Sequence, residues 1–139
     1  MSLPVPVDVA ELVVRTLRLL LTVRPEPEVV GIKVSTQVGH GPHGGPPSLP
    51  WLLVAEDGHT WSWPAVQRAV IRLTCWHHSE HKAKAVAGLA LALLCDQRGA
   101  GLLITAEPVT GPVAGIDPYT DQPLATAAVA VYARTPTRK

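Results

Sequence analysis

The stretch from Ala69 to Gly99 constrains the fold more than any other part of the chain. It opens as Ala69-Val70-Ile71-Arg72-Leu73-Thr74-Cys75-Trp76-His77, in which Ile71, Leu73 and Cys75 alternate with Arg72, Thr74 and Trp76. That period of two predicts a half-buried strand. After His78-Ser79 an Ala- and Leu-rich run to about Arg98 predicts a helix, with Ser79 as its N-cap and Gly99 placed to end it. A strand that turns sharply into a helix lays the helix back across its own sheet, so the remaining chain must extend or cover that sheet. In the helix, Ala83, Val86, Ala87, Ala90, Leu93 and Leu94 form the expected core face, yet Leu89, Leu91 and Ala92 are apolar too. A helix apolar nearly all round is either sandwiched in a core or shares its second face with another subunit.

The flanking segments supply that material. Asp8 followed by Glu11 reads as a capping-box-like start, and Ala10, Val13, Val14, Leu17, Leu20 and Leu21 fall on one helical face. This first helix ends before Pro25, and Pro25-Glu26-Pro27-Glu28 is a stiff connector. Val29 to Ser35 predicts a strand with Val30, Ile32 and Val34 on one face. Thr36 to Pro50, dense in Gly, Pro and His, predicts a long loop. Trp51 to Ala55 and His59 to Trp63 predict a hairpin turned at Asp57-Gly58. Leu102 to Val109 predicts a strand closed by Pro108, Thr110 to Pro123 a second loop, Leu124 to Arg134 a last strand, and Thr135 to Lys139 a frayed tail. No internal repeat is visible. The order predicts one α+β domain over residues 1–139: a mixed or antiparallel sheet of four to six strands with two helices on one face.

Composition narrows the function classes. The 139 residues carry a net charge of +1 with His neutral, which argues against a tight nucleic-acid binder with a basic patch. A chain this long buries roughly two-thirds of its unfolded surface and needs no metal or disulfide to hold a core. Cys75 and Cys95 fall at apolar positions and read as buried free thiols; a disulfide between them would require a fitting backbone distance and is opposed by a reducing cytosol. The apolar run Leu12 to Val23 is interrupted by Arg15 and Arg18, and Ala85 to Cys95 is too short to span a bilayer. The expectation is a soluble protein of the cytoplasm with no membrane partner.

Catalytic and metal signals are sparse. His40 and His43 have HxxH spacing in the first loop, and His77, His78 and His81 cluster at the strand-to-helix turn near Cys75. Zinc uses such ligands, and His78 and His81 share a helical face, but the spacing matches no closed four-ligand site. There is no GxSxG, no GxGxxG and no Walker loop, and Glu56-Asp57 and Asp117 with Asp121 read as turn-forming acids. The expectation is no catalytic residue, no cofactor and no bound metal; a small metal-dependent enzyme built on His77, His78 and His81 is the lower alternative. Phe is absent, and four Trp carry much of the aromatic content. Trp61 and Trp63 share a strand face next to Trp51 and Trp76, which predicts either a buried cluster or an interface anchor.

The strand Ile71 to His77, the following Ser79-Glu80 and Ala/Leu helix, the Gly turn, Gly111-Pro112, and Asp117-Pro118-Tyr119-Thr120-Asp121-Gln122-Pro123-Leu124-Ala125-Thr126 recur in one family. Over Trp51 to Arg134 the chain resembles the tail terminator (tail completion) proteins of long-tailed actinobacterial phages, with their strand–Trp–helix unit and D-P-x-T-x-x-P-L-A-T loop. The resemblance implies a structural virion protein. Its subunits would form a hexameric ring at the head-proximal end of the tail tube, stop tube polymerisation and join tail to head, with DNA passing through the lumen unread. The implied partners are like copies, the tail tube protein and the head–neck connector. A neck or head-completion protein of the same virion is the alternative. The expected contact residues are Gly39, His40 and His43 in the first loop, Leu89, Leu91 and Ala92 on the off-core helix face, and Asp117, Tyr119 and Asp121 in the second loop.

Overall fold

Asp8 and Ser79 start the two helices. In a computed structural model describing residues 2–41, 44–99 and 101–139, Asp8 Oδ1 accepts from the Glu11 N–H at 3.1 Å and Ser79 Oγ from the Lys82 N–H at 3.1 Å. Each cap satisfies an N–H that the first helical turn leaves without a partner. Helix α1 spans Val9–Thr22 and helix α2 Glu80–Asp96. Pro25 stops α1 from continuing. After α2 the chain turns through Gly99 at φ +63° and Gly101 at φ +59°, left-handed values that glycine tolerates.

The strands are β1 (Leu3–Pro4), β2 (Lys33–Ser35), β3 (Trp51–Ser62), β4 (Val66–Trp76), β5 (Leu103–Ile116), β6 (Pro123–Arg134) and β7 (Thr137–Arg138). Five of them form a mixed sheet in the order β2-β3-β4-β6-β5, with β2 parallel to β3 and the other pairs antiparallel. The fold is α+β. The β4–β6 register is unbroken from Val66↔Arg134 to Trp76↔Leu124. It places Ala69, Ile71, Leu73 and Cys75 beside Val131, Val129, Ala127 and Ala125 on the face that carries both helices. Helix α1 lies over β2 and β3, and α2 over β4, β6 and β5. Val13, Leu17, Leu52, Ile71, Leu73, Val86 and Leu94 belong to one core in which each is fully enclosed. Such a side chain contributes about 1.5–3 kcal/mol relative to exposure. Among the described residues, no helix is long and apolar enough to cross a membrane.

Five expectations change. The segment expected as a strand from Val29 is a short 3₁₀ turn over Pro27–Val29, then Gly31 at φ +72°; only Lys33–Ser35 pairs, and Val30 is exposed. Asp57-Gly58 is not a hairpin turn but a bulge inside β3, where the register shifts between Glu56 and Gly58. The extra residue bends the strand without ending it, and the hairpin closes instead between Ser62 and Val66. Strand β5 runs through Pro108 and Pro112 to Ile116, so the second loop shrinks to residues 117–122. An edge strand tolerates these prolines, whose missing N–H groups break no central ladder, and the register shifts around them. The tail is not frayed: Thr137 and Arg138 pair with Pro4 and Leu3, and Val5 N–H donates to Pro136 O at 2.9 Å. The four Trp do not form one cluster. Trp51 faces Trp76 across the β3–β4 ladder, whereas Trp61 and Trp63 meet edge-on at the opposite end, with ring centroids 5.2 Å apart.

Candidate functional site

The end of β4 and the start of α2 build a polar corner. Trp76 ends a strand whose last four residues, Leu73 to Trp76, are all buried, so its indole N–H requires an acceptor. Asp117 supplies one: Trp76 Nε1–H donates to Asp117 Oδ2 at 3.0 Å. The other carboxylate oxygen accepts from the Tyr119 N–H at 2.9 Å, an Asx turn that holds the loop. Asp121, at φ +59°, donates its N–H to Asp117 O at 2.8 Å, and Asp117 N–H donates to Gln122 O at 2.9 Å. Burial pushes the Asp117 carboxyl up, but hydrogen bonds from Trp76, Tyr119 and Thr120 outweigh it, and the group sits below its ordinary value.

His77 completes the corner. Its Nδ1 lies 2.8 Å from the His78 backbone N and accepts from it, which leaves the Nε2–H to donate to Glu28 O at 2.8 Å; the tautomer follows from this network. Gln122 Nε2 donates to His77 O at 2.6 Å, and His77 N–H donates to Pro123 O at 3.1 Å. Both ring nitrogens of His77 are therefore engaged, Nε2 tying the 3₁₀ segment to the strand end and Nδ1 bonding locally to the residue that follows. Among the described residues, no three His, Cys, Asp or Glu side chains converge as a metal site.

The two loops expected to make contacts are neighbours at this end of the sheet. A side chain at Gly45 would meet Thr120 Cγ2 at 3.2 Å, and one at Gly39 would meet the Pro47 ring at 3.0 Å and the Trp51 ring at 3.4 Å. His40 is exposed, and His43 lies outside the described residues. Tyr119 is 93 % exposed at the loop tip and Asp121 is exposed beside it. Asp117 is corrected: it is buried in the corner and turns its carboxylate inward to Trp76, so it positions the loop rather than meeting a partner. The signal for it was present in the sequence, since an Asp-Pro turn needs an Asx acceptor and a strand-end Trp needs a partner. Gln122 and His77 carried no comparable signal.

The helix face is corrected in part. Leu91 is not off-core; it is 8 % exposed and belongs to the core. Ala92 is exposed, and Leu89 is half-buried. Leu89 lines a pocket of about 70 Å³ with Glu26, Glu28, Val29, Ala85 and Val86. Val29, Ala85, Val86 and Leu89 make its apolar wall, and Glu26 and Glu28 add two acidic residues. Its wall, at Glu28, is shared with the corner. No protein-family model matches the chain, and no curated protein matches it.

Proposed function

We propose that this chain is a tail terminator: a ring subunit that caps the head-proximal end of a phage tail tube, stops tube polymerisation and joins tail to head. The observation that supports the reading is the Trp76–Asp117 hydrogen bond. The resemblance rests on two separate motifs, the strand–Trp–helix unit and the loop from Asp117 to Thr126, and that bond joins their two signature residues in one corner. A loop held in this way presents Tyr119 and Asp121 on a fixed base, as a subunit that docks on a tube end requires. The proposed partners are like copies, the tube protein and the head–neck connector, with DNA passing through the lumen without being read.

Deletion of the gene in the phage tests the reading. Tails of uncontrolled length that fail to join heads are the expected result. Tails of normal length joined to heads overturn it, and DNA-filled heads beside normal, unattached tails reassign the chain to the neck.

A further inference from the structure

The side-chain amide of Gln67 has one oxygen, and Val7 holds it. Gln67 is fully buried; Val7 N–H donates to its Oε1 and its Nε2 donates to Val7 O, each at 2.8 Å. These two contacts fix which end of the amide is nitrogen. The second hydrogen on Nε2 is left for His59 Nε2, 3.1 Å away. Two donors cannot share a hydrogen bond, so His59 Nε2 carries no proton and accepts. The proton of the neutral ring therefore sits on Nδ1, which lies 3.6 Å from Glu56 Oε1.

A second proton on His59 breaks this arrangement. Imidazole changes charge between about pH 5 and about pH 8, and both nitrogens of the charged ring are donors. Either nitrogen turned to Gln67 Nε2 then sets donor against donor. Turning the amide over would offer Oε1 to the ring but set Nε2 against the Val7 N–H. One of the two contacts must be lost. The charged ring has another partner in Glu56 on its own strand, and the two side chains are 30 % and 36 % exposed, with room to meet. At the start of α1, Asp8 serves as the cap and Glu11 pairs with Arg15 at 3.9 Å. On β4, Gln67, Ala69 and Ile71 share the face of His59 and are uncharged, while Arg68 and Arg72 alternate to the other face.

We propose that His59 is an acid-operated latch: protonation moves the ring from Gln67 to Glu56 and loosens the clasp on Val7. The clasp secures the strap that leads into α1. Strand β1 pairs with β7, Val5 N–H donates to Pro136 O, and Val7 ties this small sheet to β4. The other end of that sheet has its own ties: Trp61 Nε1–H donates to Thr135 Oγ1 at 3.0 Å, and Thr135 N–H to Ala65 O at 2.8 Å. Release at Val7 therefore frees the N-terminal strap and leaves the core and the tail in place. The latch does not depend on the tail role.

Nuclear magnetic resonance on the full chain tests it. At about pH 7.5, ring nitrogen shifts are expected to show His59 protonated on Nδ1 and bare at Nε2. Amide exchange, corrected for the intrinsic effect of pH, is expected to show Val7 losing about fivefold of its protection at about pH 5.5. Leu12, whose N–H donates to Asp8 O, is expected to keep its protection. These readings need no variant. His59→Gln puts an amide oxygen that takes no proton near Gln67, and Val7 is expected to be equally protected at both pH values. His59→Phe has no acceptor and is expected to give the lower protection at both. A proton on Nε2 at about pH 7.5, a wild-type Val7 indifferent to pH, or a drop that persists in either variant overturns the latch.

Discussion

Gln67 and Val7 exchange a pair of hydrogen bonds across sixty residues of sequence: Val7 N–H donates to Gln67 Oε1 and Gln67 Nε2 donates to Val7 O, each at 2.8 Å. Gln67 is fully buried at the start of β4, and its side chain serves Val7 as a neighbouring strand would. The same nitrogen lies 3.1 Å from His59 Nε2, which ties the hairpin to the entry of α1. Replacing Gln67 with Leu keeps the volume but strands both backbone groups of Val7. A buried polar group left without a partner costs about 1–3 kcal/mol, so Gln67→Leu is expected to lower the unfolding free energy by at least that amount, read as a lower urea midpoint at unchanged slope.

Asp117 gives the protein an acid-sensitive element. In the unfolded chain its carboxyl titrates near the ordinary 3.8, and in the folded chain below that. Between those values the unfolded chain holds the proton more tightly, so acid favours unfolding. The contribution is complete above 3.8 and is lost as pH falls through the folded value. Denaturation of wild type and Asp117→Asn from about pH 5 to about pH 2 is expected to show a shallower acid limb in the variant. Asp117→Ala leaves the buried Trp76 N–H unpaired and costs about 1–3 kcal/mol at neutral pH.

The two thiols are expected to behave differently. Burial pushes Cys75 up to about 12 from an ordinary 9.0, and its Sγ lies 3.6 Å from Trp76 O. Burial, partly offset by Arg98, also raises the half-buried Cys95. The thiolate is the reactive form. An alkylating reagent at about pH 8 is therefore expected to label Cys95 slowly in the folded protein and Cys75 only on unfolding, read by mass spectrometry. Cys75 also sets an alkaline limit. Above 9.0 the unfolded thiol ionises while the folded one does not, so its contribution is whole below 9.0 and lost as pH rises towards 12.

Leu91 and Ala92 separate folding from surface contact. Leu91→Glu buries an unpaired charge in the core and is expected to cost more than about 4 kcal/mol, enough to unfold the protomer. Ala92→Glu lies at an exposed position and is expected to change stability by less than about 0.5 kcal/mol. Thermal melts of the two variants check the pair; equal losses would mean that α2 is buried on a different face.

Local chemistry made the helices and the central strand legible. Asp8 and Ser79 cap where short polar side chains cap, and Ile71, Leu73 and Cys75 alternate as a one-sided strand does. Misreadings came where tertiary context overrode a local signal. Asp57-Gly58 has the residues of a tight turn, yet β4 continues beside it and the pair becomes a bulge. Pro108 and Pro112 look like terminators, but on an edge strand they cost no ladder bond. Leu91 looked free because helix periodicity assumes one buried face, whereas α2 is flanked by α1 on one side and β5 on the other. At the corner, Asp117 announced a turn but not its partner, since Trp76 is 41 residues away.

The strand order also sets a schedule for synthesis. Strand β6 is made after every other strand of the large sheet, yet it lies between β4 and β5. As the chain leaves the ribosome, β4 and β5 wait with bare facing edges until Pro123–Arg134 emerges to join them. Until then the nascent sheet is two separate pieces, and the unfilled slot is where a chaperone or a stray strand would bind first.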